Sequence, residues 1–359
     1  MLVQDYLRNG KTLEDLTNEY QIGISVCEEL GVVSLNYSQI ASDLSNPICQ
    51  ECRGLILEPG SWNVVCRSYN KFFNLEEPNN AAILEAFDWS TARVLDKIDG
   101  SLIMAYYWAG KWNFATRKSP NASGPVSGYD TTFNRLIELT IEEMGFDRTQ
   151  LNPDMFYSFE LTTPLNRIVV PYEGYNLTWI GAWNADTLEE ISIWSLPDIG
   201  MARVRQLPLS NLTEIMAMIE KLPSTEGEGV VVVDGSFRRM KIKSPEYLMA
   251  FRVVTNVEAS PRNKIAFVQS ENFDDMYKLL PQAMKDEINE LKSKFESLAG
   301  KVTATYATIK DLEIQKDFAL EATKFPYSDW LFKMRKGVNL DSLMKDTAPE
   351  KIESVLEKM

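Results

Sequence analysis

The sequence predicts an α+β fold: a mixed strand-and-helix domain over residues 1–253, then an all-helical domain over 254–359. Short runs of β-branched and aromatic residues, bounded by turn residues, fill the stretch 30–252. Beyond Val253 the apolar spacing switches to steps of three and four, the period of a helix. A mass of 40.9 kDa suits two domains with real cores.

Residues 102–116 read as a hairpin, two aromatic-rich runs turning at Ala109-Gly110. Residues 155–161 and 177–183 are strand candidates. A second hairpin runs through Val230–Val233, a turn at Asp234-Gly235, and the segment FRRMKIK. In the helical part, Met284, Ile288, Leu291, Phe295 and Leu298 make one apolar stripe. Pro349 after Ala348 marks a helix start, with Ile352, Val355, Leu356 and Met359 on one side. The first fifty residues, with two basic and seven acidic side chains, suggest no specific role.

Lys plus Arg number 37 against 51 Asp plus Glu, a formal net charge of −14. Such a chain is no general binder of polyanions, so a nucleic-acid site must be a local basic patch. Histidine is absent, which excludes Ser–His and Cys–His nucleophilic mechanisms and His-ligated metal sites. Cys27, Cys49, Cys52 and Cys66 include one C-x-x-C but no second pair at zinc spacing, so reduced, buried thiols are expected. No apolar run approaches the ~18–20 residues of a membrane span, and the N-terminal residues lack a signal-peptide layout. The expectation is a cytoplasmic monomer without a membrane partner.

The candidate chemistry begins at Lys97-Ile98-Asp99-Gly100-Ser101. A lysine beside Asp-Gly is, alone, an ordinary surface turn. Lys241 and Lys243, two apart on a strand, point to one face, while Met240 and Ile242 turn to the core. Glu228 opens the partner strand, so a carboxylate and two ammonium groups meet at one rim. Residues 235–264 hold seven Lys or Arg and two acidic residues, a local +5 in an acidic protein. The aromatics Tyr106, Tyr107, Trp108, Trp112, Phe114, Trp179 and Trp183, at alternating strand positions, read as core.

Four motifs in order, K-x-D-G-S, F-E-x-x-x-P (Phe159-Glu160 to Pro164), E-G-V-V (Glu228 to Val231) and K-x-K (Lys241 to Lys243), resemble the covalent nucleotidyltransferases. Cys52-Arg53-Gly54-Leu55-Ile56, Lys71-Phe72-Phe73-Asn74-Leu75 and Asn166-Arg167-Ile168-Val169 narrow the resemblance to the bacteriophage RNA ligase 1 family, typified by the T-even phage enzyme. The resemblance covers most of residues 30–250. It implies a nucleotidyltransferase (ATP-grasp-like ligase) domain of antiparallel sheets with flanking helices, and a helical C-terminal domain that selects RNA. The implied activity is ATP-dependent joining of 5′-phosphate and 3′-hydroxyl RNA ends in repair of cleaved tRNA. ATP is the nucleotide substrate and Mg²⁺ the metal; the compartment is the host cytoplasm if the gene is a phage's.

By the same resemblance Lys97 attacks the α-phosphate. Arg53, Lys71, Asp99, Gly100, Arg117, Glu160, Glu228, Lys241 and Lys243 contact the nucleotide, and Lys118 competes with Arg117 for its place. Glu160, Glu228 and, loosely, Asp274 hold the metal. The amine must be neutral to attack, and positive charge from Lys241, Lys243 and Mg²⁺ is expected to favour that form. Lys243→Ala is then expected to slow this first step more than it weakens ATP binding. A DNA ligase or capping enzyme carries a C-terminal OB-fold, which the helical tail opposes. A non-catalytic RNA-binding relative is opposed by the presence of every charged motif residue.

Overall fold

The computed structural model describes residues 1–270 and 272–359, which divide into two compact units, Met1–Leu248 and Met249–Met359. The first unit carries three antiparallel sheets and the second is helical among its described residues.

The N-terminal residues, silent in the sequence, form α1 (Leu2–Arg8), α2 (Leu13–Tyr20) and β1 (Ile22–Cys27). Thr12 caps α2 by accepting from the Asp15 amide while the Asp15 carboxylate accepts from the Thr12 amide. With β2 (Val32–Tyr37), β3 (Arg53–Leu57) and β4 (Val64–Cys66), β1 makes a four-stranded sheet; α3 (Pro47–Glu51) lies between β2 and β3. All four cysteines are buried free thiols in this region.

After α4 (Ala81–Ala86) and β5 (Arg93–Lys97) come β6 (Ser101–Trp108) and β7 (Lys111–Thr116), the expected hairpin. Ala109 and Gly110 both take positive φ, 52° and 79°, as a tight two-residue turn requires. α5 (Phe133–Met144) starts at the Thr132 cap and stops at Gly145, φ 61°. It covers the central sheet, ordered β10-β9-β8-β6-β7, which adds β8 (Met155–Thr162), β9 (Asn176–Asn184) and β10 (Glu190–Ile191). Tyr106, Phe114, Trp179 and Trp183 are buried in the packing of this sheet, as the alternation implies; Tyr107 is 40% exposed.

The third sheet, β11-β5-β12-β13, adds β11 (Gln206–Leu207), β12 (Gly229–Val233) and β13 (Arg239–Lys243), with α6 (Leu212–Ile219) between β11 and β12. Val94, Val230, Val232, Met240 and Ile242 pack with Ile215 and Ile219 of α6 on one face, leaving alternate residues to the other. The β12–β13 connection is a five-residue loop, 234–238, rather than a two-residue turn. Asp234 Oδ1 accepts from the Ser236 and Arg238 amides, and Phe237, not Gly235, takes the left-handed conformation.

α7 (Pro245–Glu258) begins in the first unit and ends in the second. There, α8 (Pro261–Val268), α9 (Phe273–Tyr277), α10 (Gln282–Ile309), α11 (Gln315–Ala322), α12 (Ser328–Arg335), α13 (Leu340–Asp346) and α14 (Pro349–Glu357) follow. Phe295, Leu298, Val302 and Ile309 of α10 share a core with Phe318, Trp330, Ile352 and Val355. Met359, placed on the apolar side of the last helix by spacing, is 40% exposed beyond its end.

Candidate active site

Strand register brings the motif residues of the first unit together. Gly229 pairs with Lys97 on β5 and with Lys243 on β13, so the ends of three neighbouring strands make one row. Gly229 sits at φ 148°, and a Cβ there would overlap the Ile242 carbonyl, which is why glycine follows Glu228. The segment carrying Lys71 runs along the free edge of β13, with Lys241 N–H donating to Phe73 O at 3.0 Å and Leu75 N–H to Lys241 O at 2.9 Å.

Glu228, 3% exposed, bridges two lysines. Its Oε2 accepts from Lys97 Nζ and its Oε1 faces Lys243 Nζ, each at 2.7 Å. Burial pulls the Lys97 ammonium towards neutrality, but Glu228, Glu160 and Asp99 outweigh it and its pKa is raised. Lys97 is thus held protonated by these carboxylates, so Lys241 and Lys243 without Mg²⁺ do not drive it to the neutral form. The amine that is driven down is Lys241, to about 7, by burial and then by Lys71, Lys97 and Lys243. Lys71 is lowered too, chiefly by burial. Glu160, on β8 opposite Leu102, is pushed up to about 7 by burial, against the pull of Lys97.

A cavity of about 1050 Å³ opens beside this row, with Lys97, Gly100, Arg53, Arg117, Lys118 and Glu160 among its lining residues. Arg53 Nη1 is buried there without a hydrogen-bond partner, a donor left for an anion. Arg117 lies over the Tyr37 ring at 5.1 Å and is half-buried, whereas Lys118 is exposed. Gly54, φ 80°, lets the Arg117 backbone approach; a Cβ would stand 3.1 Å from its Cα and carbonyl oxygen.

Asp99 and Gly100 are held in place by close packing and hydrogen bonds. Asp99 is 2% exposed, and its Oδ2 accepts from the Val169 and Val170 amides at 2.8 and 2.9 Å while Oδ1 accepts from Tyr247 Oη at 2.6 Å. Burial raises its pKa against those hydrogen bonds. A Cβ on Gly100 would overlap the Leu161 carbonyl of β8. Asn166 braces the same loop, its Nδ2 donating to Ser101 Oγ at 3.1 Å and Leu161 O at 2.8 Å. Tyr37, Tyr247 and the Glu190–Arg239 pair beside the cavity were not singled out by sequence reasoning; only long-range contacts reveal them. Asp274 is exposed in the first turn of α9, in the second unit, and is not among the residues gathered here.

The described residues contain no cluster of three acidic or thiol side chains for a metal. Mg²⁺ at phosphate sites commonly takes one or two carboxylates and completes its shell with water and substrate oxygens. Glu160, a half-buried carboxylate whose charge costs free energy, fits that donor set. Glu228 supplies a second, now shared by two lysines.

A family model described as RNA ligase, of the T4 type, matches residues 51–247. A protein of Autographa californica nuclear polyhedrosis virus, described as a candidate bifunctional polynucleotide kinase/RNA ligase, is 27% identical, over 98% of this chain and 52% of its own length. The chain therefore spans about half of that relative. An RNA ligase of Rhodothermus phage RM378 is 24% identical over 86% of each chain. An archaeal ATP-dependent RNA ligase structure is similar over 76% of this chain and 68% of its own, with 18% identity and a TM-score of 0.46. The family model covers more than half of the chain, and the chain belongs to the RNA ligase family, on the T4 RNA ligase 1-like branch of the ATP-dependent RNA ligases.

Proposed function

We propose that the chain joins a 5′-phosphate to a 3′-hydroxyl RNA end at the expense of ATP, with Lys97 as the covalent nucleophile. The observation that carries this reading is the Lys97–Glu228–Lys243 row, set beside a cavity with an unpartnered Arg53 donor. In the first step an Nζ–P bond forms, the α–β P–O bond breaks and pyrophosphate leaves. Nζ must first lose a proton, and Glu228 Oε2 already shares that hydrogen bond. Lys71, Lys241, Lys243 and Arg53 take up the charge of the phosphates. A divalent ion bound at Glu160 and Glu228 would supply further neutralisation of that charge.

In the second step a 5′-phosphate oxygen of RNA displaces lysine from AMP, and in the third the 3′-hydroxyl displaces AMP to seal the strand. Residues 1–253 would perform the adenylyl transfers and 254–359 would select the RNA; cleaved tRNA as substrate is supported by family resemblance alone.

Intact mass after incubation with ATP and Mg²⁺ tests the reading. Wild type should gain one AMP, released on adding 5′-phosphorylated RNA, and Lys97→Ala should gain none. A folded, initially unmodified wild-type protein that takes no AMP would overturn it.

A further inference from the structure

The cavity has a second charged pole, in which the proposed adenylylation assigns no residue a role. In the register of β5, β12 and β13, Lys97, Gly229 and Lys243 form one row and Arg93, Val233 and Arg239 another. Four residues separate the rows, roughly 13 Å of extended strand. Leu95 and Val231 form an apolar floor between them.

At the far row Arg239 is matched by Glu190 at 2.5 Å, but no carboxylate pairs with Arg93 among the described residues. Arg93 Nη1 donates to Ser192 Oγ at 2.9 Å, and its guanidinium lies 4.8 Å from the centre of the Trp194 ring. Trp194 is 37% exposed although its neighbour Ile193 is buried. The turn carrying it is fixed: the Ser195 amide and hydroxyl donate to Ser192 O, and Arg203 donates to Ile193 O at 3.0 Å and Leu196 O at 2.9 Å. An indole held open at a cavity wall, beside a guanidinium without a countercharge, suits a nucleobase on the ring and a phosphodiester at the cation.

We propose that this pole is a subsite for single-stranded RNA beside its reacting end, with a base stacked on Trp194 and a backbone phosphate at Arg93. The assignment rests on the ligase reading, in which ATP occupies the Lys97 row. It makes Trp194 and Arg93 determinants of RNA engagement rather than of lysyl-AMP formation.

Titration of a fluorescein-labelled, 5′-phosphorylated oligoribonucleotide, read by anisotropy across a salt series, tests it alongside self-adenylylation followed by intact mass. Trp194→Ala should weaken RNA binding about tenfold, with Trp194→Phe recovering most of the loss. Arg93→Gln should weaken binding and reduce the log–log salt slope by about 0.7, the contribution of one single-strand phosphate contact. Trp194→Ala should leave that slope unchanged, and the rate of AMP uptake should stay within about twofold of wild type in all three. Unchanged RNA affinity in both Trp194→Ala and Arg93→Gln would overturn the proposal. So would an equal loss of AMP uptake, which would give the pole to the ATP base instead. If wild type takes no AMP the ligase reading falls, while the RNA titration still decides the subsite.

Discussion

Lys97 and Lys243 are held by opposite oxygens of one buried carboxylate, each ammonium 2.7 Å from Glu228. The proposed nucleophile and a proposed phosphate-binding lysine are therefore coupled: whatever engages Glu228 alters both. Removing the carboxylate charge removes a main reason for Lys97 to stay protonated. In Glu228→Gln, the pH at which the single-turnover adenylylation rate rises to half its plateau should move down, with a lower plateau because the proton acceptor is gone. An unmoved or raised midpoint would show that Glu228 does not set the Lys97 protonation state.

Tyr247 and Asp99 meet across 148 residues of chain. Tyr247→Phe leaves Asp99 Oδ1 without that donor, at a cost of about 1–3 kcal/mol for a buried acceptor. The variant should melt earlier than wild type and still accept AMP, more slowly, because Lys97 and Glu228 remain. Loss as complete as in Lys97→Ala would mean that Tyr247 acts on the nucleotide itself rather than on the loop.

Legibility followed the range of the interactions. The β12–β13 hairpin was readable because core and charged residues alternate along Met240, Lys241, Ile242 and Lys243, and α10 because its stripe has a local period. Two short helices and β1 at the N-terminus were not, since their apolar residues are sparse and acquire meaning only against β2 and β3. Among site residues, Lys97, Glu228 and Lys243 were found by motif. Tyr37, which holds Arg117, and Trp194 lie on elements with no local signal, and their partners are 80 and 101 residues away by chain number. The protonation of Lys97 could not be read from motif order either, because it depends on which of several charges ends up 2.7 Å from Nζ.

Gly229 joins fold and site in one backbone conformation. At φ 148°, with the Ile242 carbonyl and Lys243 Cα against the space of a Cβ, alanine must strain the backbone or part β12 from β13. Gly229→Ala should lose about 1–3 kcal/mol of stability by denaturant unfolding. It should lose adenylylation disproportionately, since parting the strands moves Lys243 away from Glu228. Wild-type adenylylation in a destabilised Gly229→Ala protein would separate the two roles.

Lys241 makes the site a proton acceptor on binding an anion. Burial and the facing ammonium groups of Lys71, Lys97 and Lys243 bring its pKa from 10.5 to about 7, against the pull of Glu77. The sign for stability follows: between about pH 7 and the unfolded lysine value the native state carries up to one proton fewer than the unfolded chain, so the penalty this group imposes on folding shrinks as pH rises through that window and is largest below pH 7. At pH 8 the free amine is mostly neutral. A bound triphosphate supplies the missing counter-charge and should restore the proton, so binding takes one up from solution. Calorimetric titration of an ATP analogue with a methylene bridge between the α- and β-phosphates, in buffers of different ionisation enthalpy, measures this directly. Wild type should show net uptake of up to about one proton at pH 8, falling towards zero near pH 6, where Lys241 is already charged. Lys241→Met should lose that uptake at pH 8 while losing affinity most at pH 6. Equal uptake in wild type and Lys241→Met would place the titrating group elsewhere in the site.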